Sequence, residues 1–190
     1  MKQRELFRVW VWMAGVVVLS CSALSALESG RFSGVTYTYE ANRAKHPFAL
    51  DRKATVLTDG KTNPGPWVAG GWAATLGAKG SPLTIRFDLG GWRRIDRIKL
   101  HYLHDWAAGI TAPSRVKLTF GVEGRDVGET VMFSDFPVTG TGLQSVTIPL
   151  TRATGRYIEM TILNWRGGWT FLSEVSFAGG LEAPGMKGRR

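Results

Sequence analysis

Apolar residues recur at every second position in short windows separated by glycine and proline, and this period of two constrains the fold most. Leu83, Ile85, Phe87 and Leu89 alternate with Thr84, Arg86 and Asp88. One side of that segment therefore belongs in a core and the other in water. Val35, Tyr37 and Tyr39 alternate with threonines, and Ile98, Leu100 and Tyr102 repeat the pattern. So do Val116, Leu118 and Phe120, then Val146, Ile148 and Leu150, then Ile158, Met160 and Ile162, and last Val175 with Phe177. No segment sustains a 3.6-residue period, and no strand–helix–strand repeat occurs. The spacing predicts an antiparallel sandwich whose strands are joined by loops at both ends. Twenty-four glycines and eight prolines in 190 residues suit so many turns. With 44% hydrophobic and 21% charged residues the chain can bury one core, which argues against disorder and multi-span membrane folds. A single cysteine excludes an internal disulfide framework, and three histidines leave little for a zinc site.

The first residues read as an export signal. Lys2, Arg4 and Arg8 precede an apolar run over residues 9–19, and small residues then accumulate at Ser20, Cys21, Ser22, Ala23, Ser25 and Ala26. Three outcomes fit this pattern. Cleavage after Ala26 would release a signal peptide of residues 1–26. Val18-Leu19-Ser20-Cys21 resembles a lipobox, in which Cys21 would be acylated. An uncleaved anchor is the third, since residues 9–27 carry no charge. Removing residues 1–26 takes away three basic residues and one acidic one, which lowers the formal charge from +9 to +7. An exported protein with this charge and no long Lys/Arg block is expected to meet glycans, proteins or anionic lipid surfaces, and no nucleic acid. Membrane contact is expected only through an N-terminal lipid or anchor. Residues 180–190 read as a basic, solvated tail.

Several landmarks then fall in a characteristic order. LTDG stands at 57–60, FDLG at 87–90 and IDRIKLHYL at 95–103. Pro113 precedes SRVKLTF at 114–120, and glycines follow at 121 and 124. GRYIEM occupies 155–160 and WTFLSEVSF 169–177. In this order the motifs resemble the F5/8 type C, or discoidin, family of galactose-binding-like domains. The resemblance implies an all-β jelly-roll β-sandwich of about eight antiparallel strands, placed here at residues 34–179. It also implies a non-catalytic module that grips sugars, lipids or proteins outside the cell. In sugar-binding members a structural Ca2+ commonly ties the Asp-Gly loop to the last strand, and Asp59 and Glu174 match the two carboxylate positions. Thr62 and Asp51 are additional candidate oxygen donors. Equally, Asp59 can cap its own turn and Glu174 can pair with a nearby cation.

Sugar recognition needs flat apolar surface for ring C–H faces and a few fixed polar groups for hydroxyls. Two loops supply that mixture. Trp106 or Trp165 would stack on the ring, and His104, Asp105, Asn164 and Arg166 would bond its hydroxyls, with Trp72 a third stacking candidate. Trp67, Trp92 and Trp169 are expected to plug the ends of the sandwich. His101 and His104 are three apart, on opposite faces of a strand, so a histidine metal site is not expected. No hydrolase elbow, phosphate loop or metalloprotease helix is present. Asp105 beside His104, or the carboxylates Glu123, Asp126 and Glu129, are the sole candidates for acid/base work. The sequence thus predicts an exported, non-catalytic carbohydrate-binding module at the cell envelope. Adhesion to a protein or an anionic lipid surface is the alternative, and a glycan-active enzyme the third reading.

Overall fold

The structure is a computed structural model that describes residues 30–41, 46–63, 65–76, 82–121 and 130–181, without the side chains of Arg152 and Leu181. The export signal with Cys21, the carboxylates Glu123, Asp126 and Glu129, and the tail from residue 182 lie outside the described residues.

Eight strands run in chain order: β1 (Gly30–Arg31), β2 (Thr36–Ala41), β3 (Ala73–Leu76), β4 (Leu83–His104), β5 (Arg115–Gly121), β6 (Thr130–Phe133), β7 (Gly142–Leu163) and β8 (Trp169–Leu181). All strand pairings are antiparallel. The fold is all-β, as the alternation predicts, and it is a jelly-roll sandwich.

Two strands of 22 residues organise it. The first half of β4 pairs with β2 and with the second half of β7, whose other side carries β5 and then β6. The second half of β4 pairs with β8 and with the first half of β7, while β1 and β3 add to β8. Between the halves the ladder jumps from Asp88↔Tyr157 to Arg93↔Gly155. An irregularity of this kind bends both strands out of one layer and into the other. Gly90, with φ +73, makes that corner in a conformation that a side chain disfavours.

The inward residues of both layers fill one core. Ile85, Phe87, Ile158 and Met160 of one layer join Ile98, Leu100, Val146, Val175 and Phe177 of the other. Phe87 and Phe177 meet across the layers at 5.0 Å between ring centroids. A smaller apolar cluster lies on the opposite face of the second layer. Ala74, Leu103 and Phe171 point there, each one residue out of phase with Ala73, Tyr102 and Leu172 of the main core. The segment carrying Ala49 and Trp72 covers them. Two short 3-10 turns interrupt the strand pattern before β3: Val56–Thr58 sends Leu57 into the main core, and Trp67–Ala69 packs Trp67 on the smaller cluster.

Trp92 departs from the expected role of end plug. It sits beside the β4 corner and is 39% exposed, because the bend turns it away from both layers.

Candidate functional site

The loop after β4 and the loop before β8 are stitched together at one end of the sandwich. Asp105 exchanges both backbone hydrogen bonds with Ile110, each at 2.9 Å. Its carboxylate also accepts from the Ala108 amide at 3.2 Å, capping the 3-10 turn Trp106–Ala108. This tight turn leaves Trp106 on its outer side, 68% exposed. Across the gap, the Trp169 amide donates to Gly109 and the Thr111 amide to the Trp169 carbonyl, both at 2.8 Å. The Ser114 amide donates to the Leu163 carbonyl at 2.8 Å. The Trp165 amide donates to Ser114 Oγ at 3.0 Å.

At the centre, buried Asn164 Nδ2 donates to both Thr111 Oγ1 and Thr170 Oγ1 at 2.8 Å. Thr111 Oγ1 in turn donates to the Gly167 carbonyl at 2.8 Å. Gly168 is obligatory here, since a Cβ on it would fall 2.5 Å from the Gly109 carbonyl oxygen, and its φ is +82. Trp165 is left 50% exposed, with the Arg115 guanidinium 4.5 Å above its ring. The rim therefore offers two indole faces, one already backed by a cation.

The residues proposed from sequence separate into four groups. Trp106, Trp165 and Arg166 are exposed on adjoining loops. Asp105 and Asn164 build those loops, the first as a turn cap through Oδ1 and the second as a buried clasp through Nδ2, while the buried Asn164 Oδ1 has no partner among the described residues. His104 is half-buried, and its Nδ1 has no partner among the described residues. Trp72 is 1% exposed and packs against Phe171. It belongs to the smaller core and has no face to offer a ring, because the covering segment turns it inward.

An aromatic group that the spacing did not reveal borders this end. The His46 ring stands edge-on to Trp169 at 4.6 Å, with Phe171 at 5.0 Å, Trp67 at 5.4 Å and Phe48 at 5.8 Å. Phe48 and Val68 are exposed, and Trp67 and Trp169 are half-buried against the smaller cluster. Three separate chain segments contribute, so no local period marks the group. Burial lowers the His46 pKa, and its Nδ1 accepts from the Phe48 amide at 3.3 Å. A histidine held below its unfolded pKa favours the fold while neutral, and that contribution is lost as pH falls from about 6.5 through the folded value. Acidification from pH 7 to 5 should therefore lower the melting temperature and shift tryptophan emission, and His46→Phe should shrink both changes. His101 is also lowered, by burial and then by Lys99 and Arg31. The comparison of wild type with the variant isolates His46.

The family described as Discoidin domain-containing receptor 1/2, DS-like domain, matches residues 38–179. The chain belongs to this discoidin-like domain family. Among solved structures, this discoidin-like domain is similar to CpGH89CBM32-5 from Clostridium perfringens, solved in complex with GalNAc-beta-1,3-galactose. The two share 18% identity at a TM-score of 0.52, over 78% of this chain and 99% of that one. The family 32 carbohydrate-binding module of C. perfringens NanJ, in complex with galactose, gives 13% identity and a TM-score of 0.51, over 80% and 98%. An f-lectin, or fucolectin, from striped bass (Morone saxatilis) serum gives 22% and 0.52, over 78% of this chain and 47% of that one. These likenesses carry the fold. Among curated proteins, nothing matches.

In this discoidin-like domain the oxygens proposed for calcium are arranged as follows. Asp59 Oδ1 accepts from the Lys61 amide at 2.9 Å, capping its own turn. Asp59 and Thr62 line a cavity of about 310 Å3 together with Asn63 and Ser173. Glu174 instead faces a separate cleft lined by Arg31 and Thr58. One of its oxygens accepts from Arg31, and the other accepts from the Gly60 amide at 3.2 Å. Asp51 is fully engaged elsewhere. Its carboxylate receives the Tyr37 and Tyr39 hydroxyls and the amides of Thr55 and Val56. This set does not fit a calcium ion, because Glu174 already holds a guanidinium and an amide and Asp51 holds four donors, which leaves Asp59 alone of the three carboxylates for a cation. Among the described residues, no group of three His, Cys, Asp or Glu side chains is placed to hold a metal.

Proposed function

We propose that this discoidin-like domain is a non-catalytic module that binds carbohydrate at the rim carrying Trp106 and Trp165. The observation that supports it most is the stitching of the two loops around Asn164, which ties together the loops that carry the two exposed indoles before any ligand arrives. Preorganised aromatic surface reduces the ordering cost of binding, and an indole offers a flat apolar face of the kind a sugar ring stacks on. The sugar complexes reported for the two C. perfringens modules agree with this reading. In our reading the domain is exported by its first residues and works at the cell envelope, either free or held through Cys21.

Trp106→Ala and Trp165→Ala should each weaken glycan binding by 10-fold or more, about 1.4 kcal/mol, with melting temperatures unchanged. Glycan-array screening followed by calorimetry on the best ligand tests this. A blank array, or affinity indifferent to both variants, would remove the proposal. Turnover of a bound glycan would reassign the domain as an enzyme.

A second reading is favoured by Arg115 and Arg166 beside the exposed indoles, an arrangement suited to an anionic lipid or protein surface. Salt separates the two, since attachment through these cations should weaken steeply with ionic strength and sugar stacking should not.

A further inference from the structure

We infer that the Arg31 guanidinium is the built-in cation of this fold, joining the turn at 58–62 to the last strand where relatives of this architecture would use a divalent ion. Glu174 is 2% exposed and lies in β8. A carboxylate at that depth needs a positive partner or several donors. It has both, Arg31 on one oxygen and the Gly60 amide on the other. Arg31 comes from 143 residues away in the chain, carried there by β1. Gly60 has φ +83, and a Cβ on it would lie 3.9 Å from Arg31 Nη2. The guanidinium therefore sits against the turn and the strand together.

The backbone alone holds β1 weakly. It has two ladder pairs, Gly30↔Gly179 and Arg31↔Ala178, followed by a hydrogen bond from the Phe32 amide to the Phe177 carbonyl at 2.9 Å. The side chain supplies the long-range tie. Arginine keeps its charge at any physiological pH, so a calcium ion would have to expel it against direct repulsion. The fold should accordingly be indifferent to calcium, and its first strand should be part of what locks the Asp59 turn.

The test uses residues 27–190, which hold every described residue, with thermal melts in millimolar calcium and in excess chelator. Wild type should melt at the same temperature, within about 1 °C, in both. Arg31→Met should lower the melting temperature by roughly 10 °C, and Arg31→Met with Glu174→Gln should recover most of that loss, because removing both charges leaves no buried orphan. Should Arg31→Met not fold, the double variant and a calcium titration of wild type decide alone. Saturable calcium binding by wild type, a calcium-dependent rise in its melting temperature, or a double variant as damaged as Arg31→Met would overturn the inference.

Discussion

Gly179→Ala is expected to be the most damaging single-methyl change in the described fold. A Cβ at this position would fall 1.9 Å from the Arg94 carbonyl oxygen, 2.9 Å from its carbon and 3.0 Å from Ile95 Cα. All three are backbone atoms, so no side-chain rotation relieves the clash. Gly179 pairs with Gly30 of β1 on one side and Ile95 of β4 on the other, and the ladder would have to open to admit the methyl. Overpacking of a well-packed core costs about 1–3 kcal/mol where side chains and backbone can shift, and a direct backbone collision in the sheet should exceed that, at roughly 4 kcal/mol or more. For a domain of this size the melting temperature should fall by about 10 °C or more. A melt within about 2 °C of wild type would mean that the strands do not approach as described.

Asp51→Ala should have an effect of similar size for a different reason. The carboxylate gathers four donors: the Tyr37 hydroxyl, the Tyr39 hydroxyl at 2.6 Å, and the amides of Thr55 and Val56 at 3.1 and 3.2 Å. Tyr37 also accepts from the Leu57 amide at 3.0 Å, so the hub ties β2 to the turn that fills the core with Leu57. Burial first, and then the bond to Asp51, raises the Tyr37 pKa. Burial followed by neighbouring Tyr37 raises that of Tyr39. Both phenols therefore stay protonated as donors. Truncation would orphan several buried groups at roughly 1–3 kcal/mol each, partly regained through water, for a net loss of about 3–5 kcal/mol. Alanine also tolerates φ +40 poorly. Asp51→Asn accepts that φ and keeps one acceptor oxygen, so urea denaturation should place it between wild type and Asp51→Ala. Equal stability of all three would show that the hub contributes nothing.

The part of the fold legible in the sequence is the part whose burial is set by the strand pleat. Leu83, Ile85, Phe87 and Leu89 are buried and Thr84, Arg86 and Asp88 are partly exposed, because one face of that strand meets the core and the other meets water. The corner at Gly90 and Gly91 was not legible as a continuation, since glycine pairs read as strand ends. Nor was the cover over Leu103 and Phe171, where aperiodic chain buries Trp72 and exposes Phe48. At the rim, residue type pointed to Trp106 and Trp165 but could not separate ligand-facing groups from scaffold. Asp105 and Asn164 have the chemistry of sugar contacts, yet Asp105 Oδ1 is spent on the Ala108 amide and Asn164 Nδ2 on Thr111 and Thr170, and Asn164 is buried. The pairing of Arg31 with Glu174 had no local signal, because only β1 docking beside β8 brings them together.

The passage of β4 and β7 through both layers has a consequence for what this scaffold tolerates. Neither layer can open alone, since β4 and β7 and the ladder between them run through both, so the sandwich should behave as one cooperative foldon. The loops at 105–114 and 164–168 hang from that unit at fixed separation. Drift in their sequence can change which ligand is held without loosening the support beneath, and this frees recognition to diversify independently of folding.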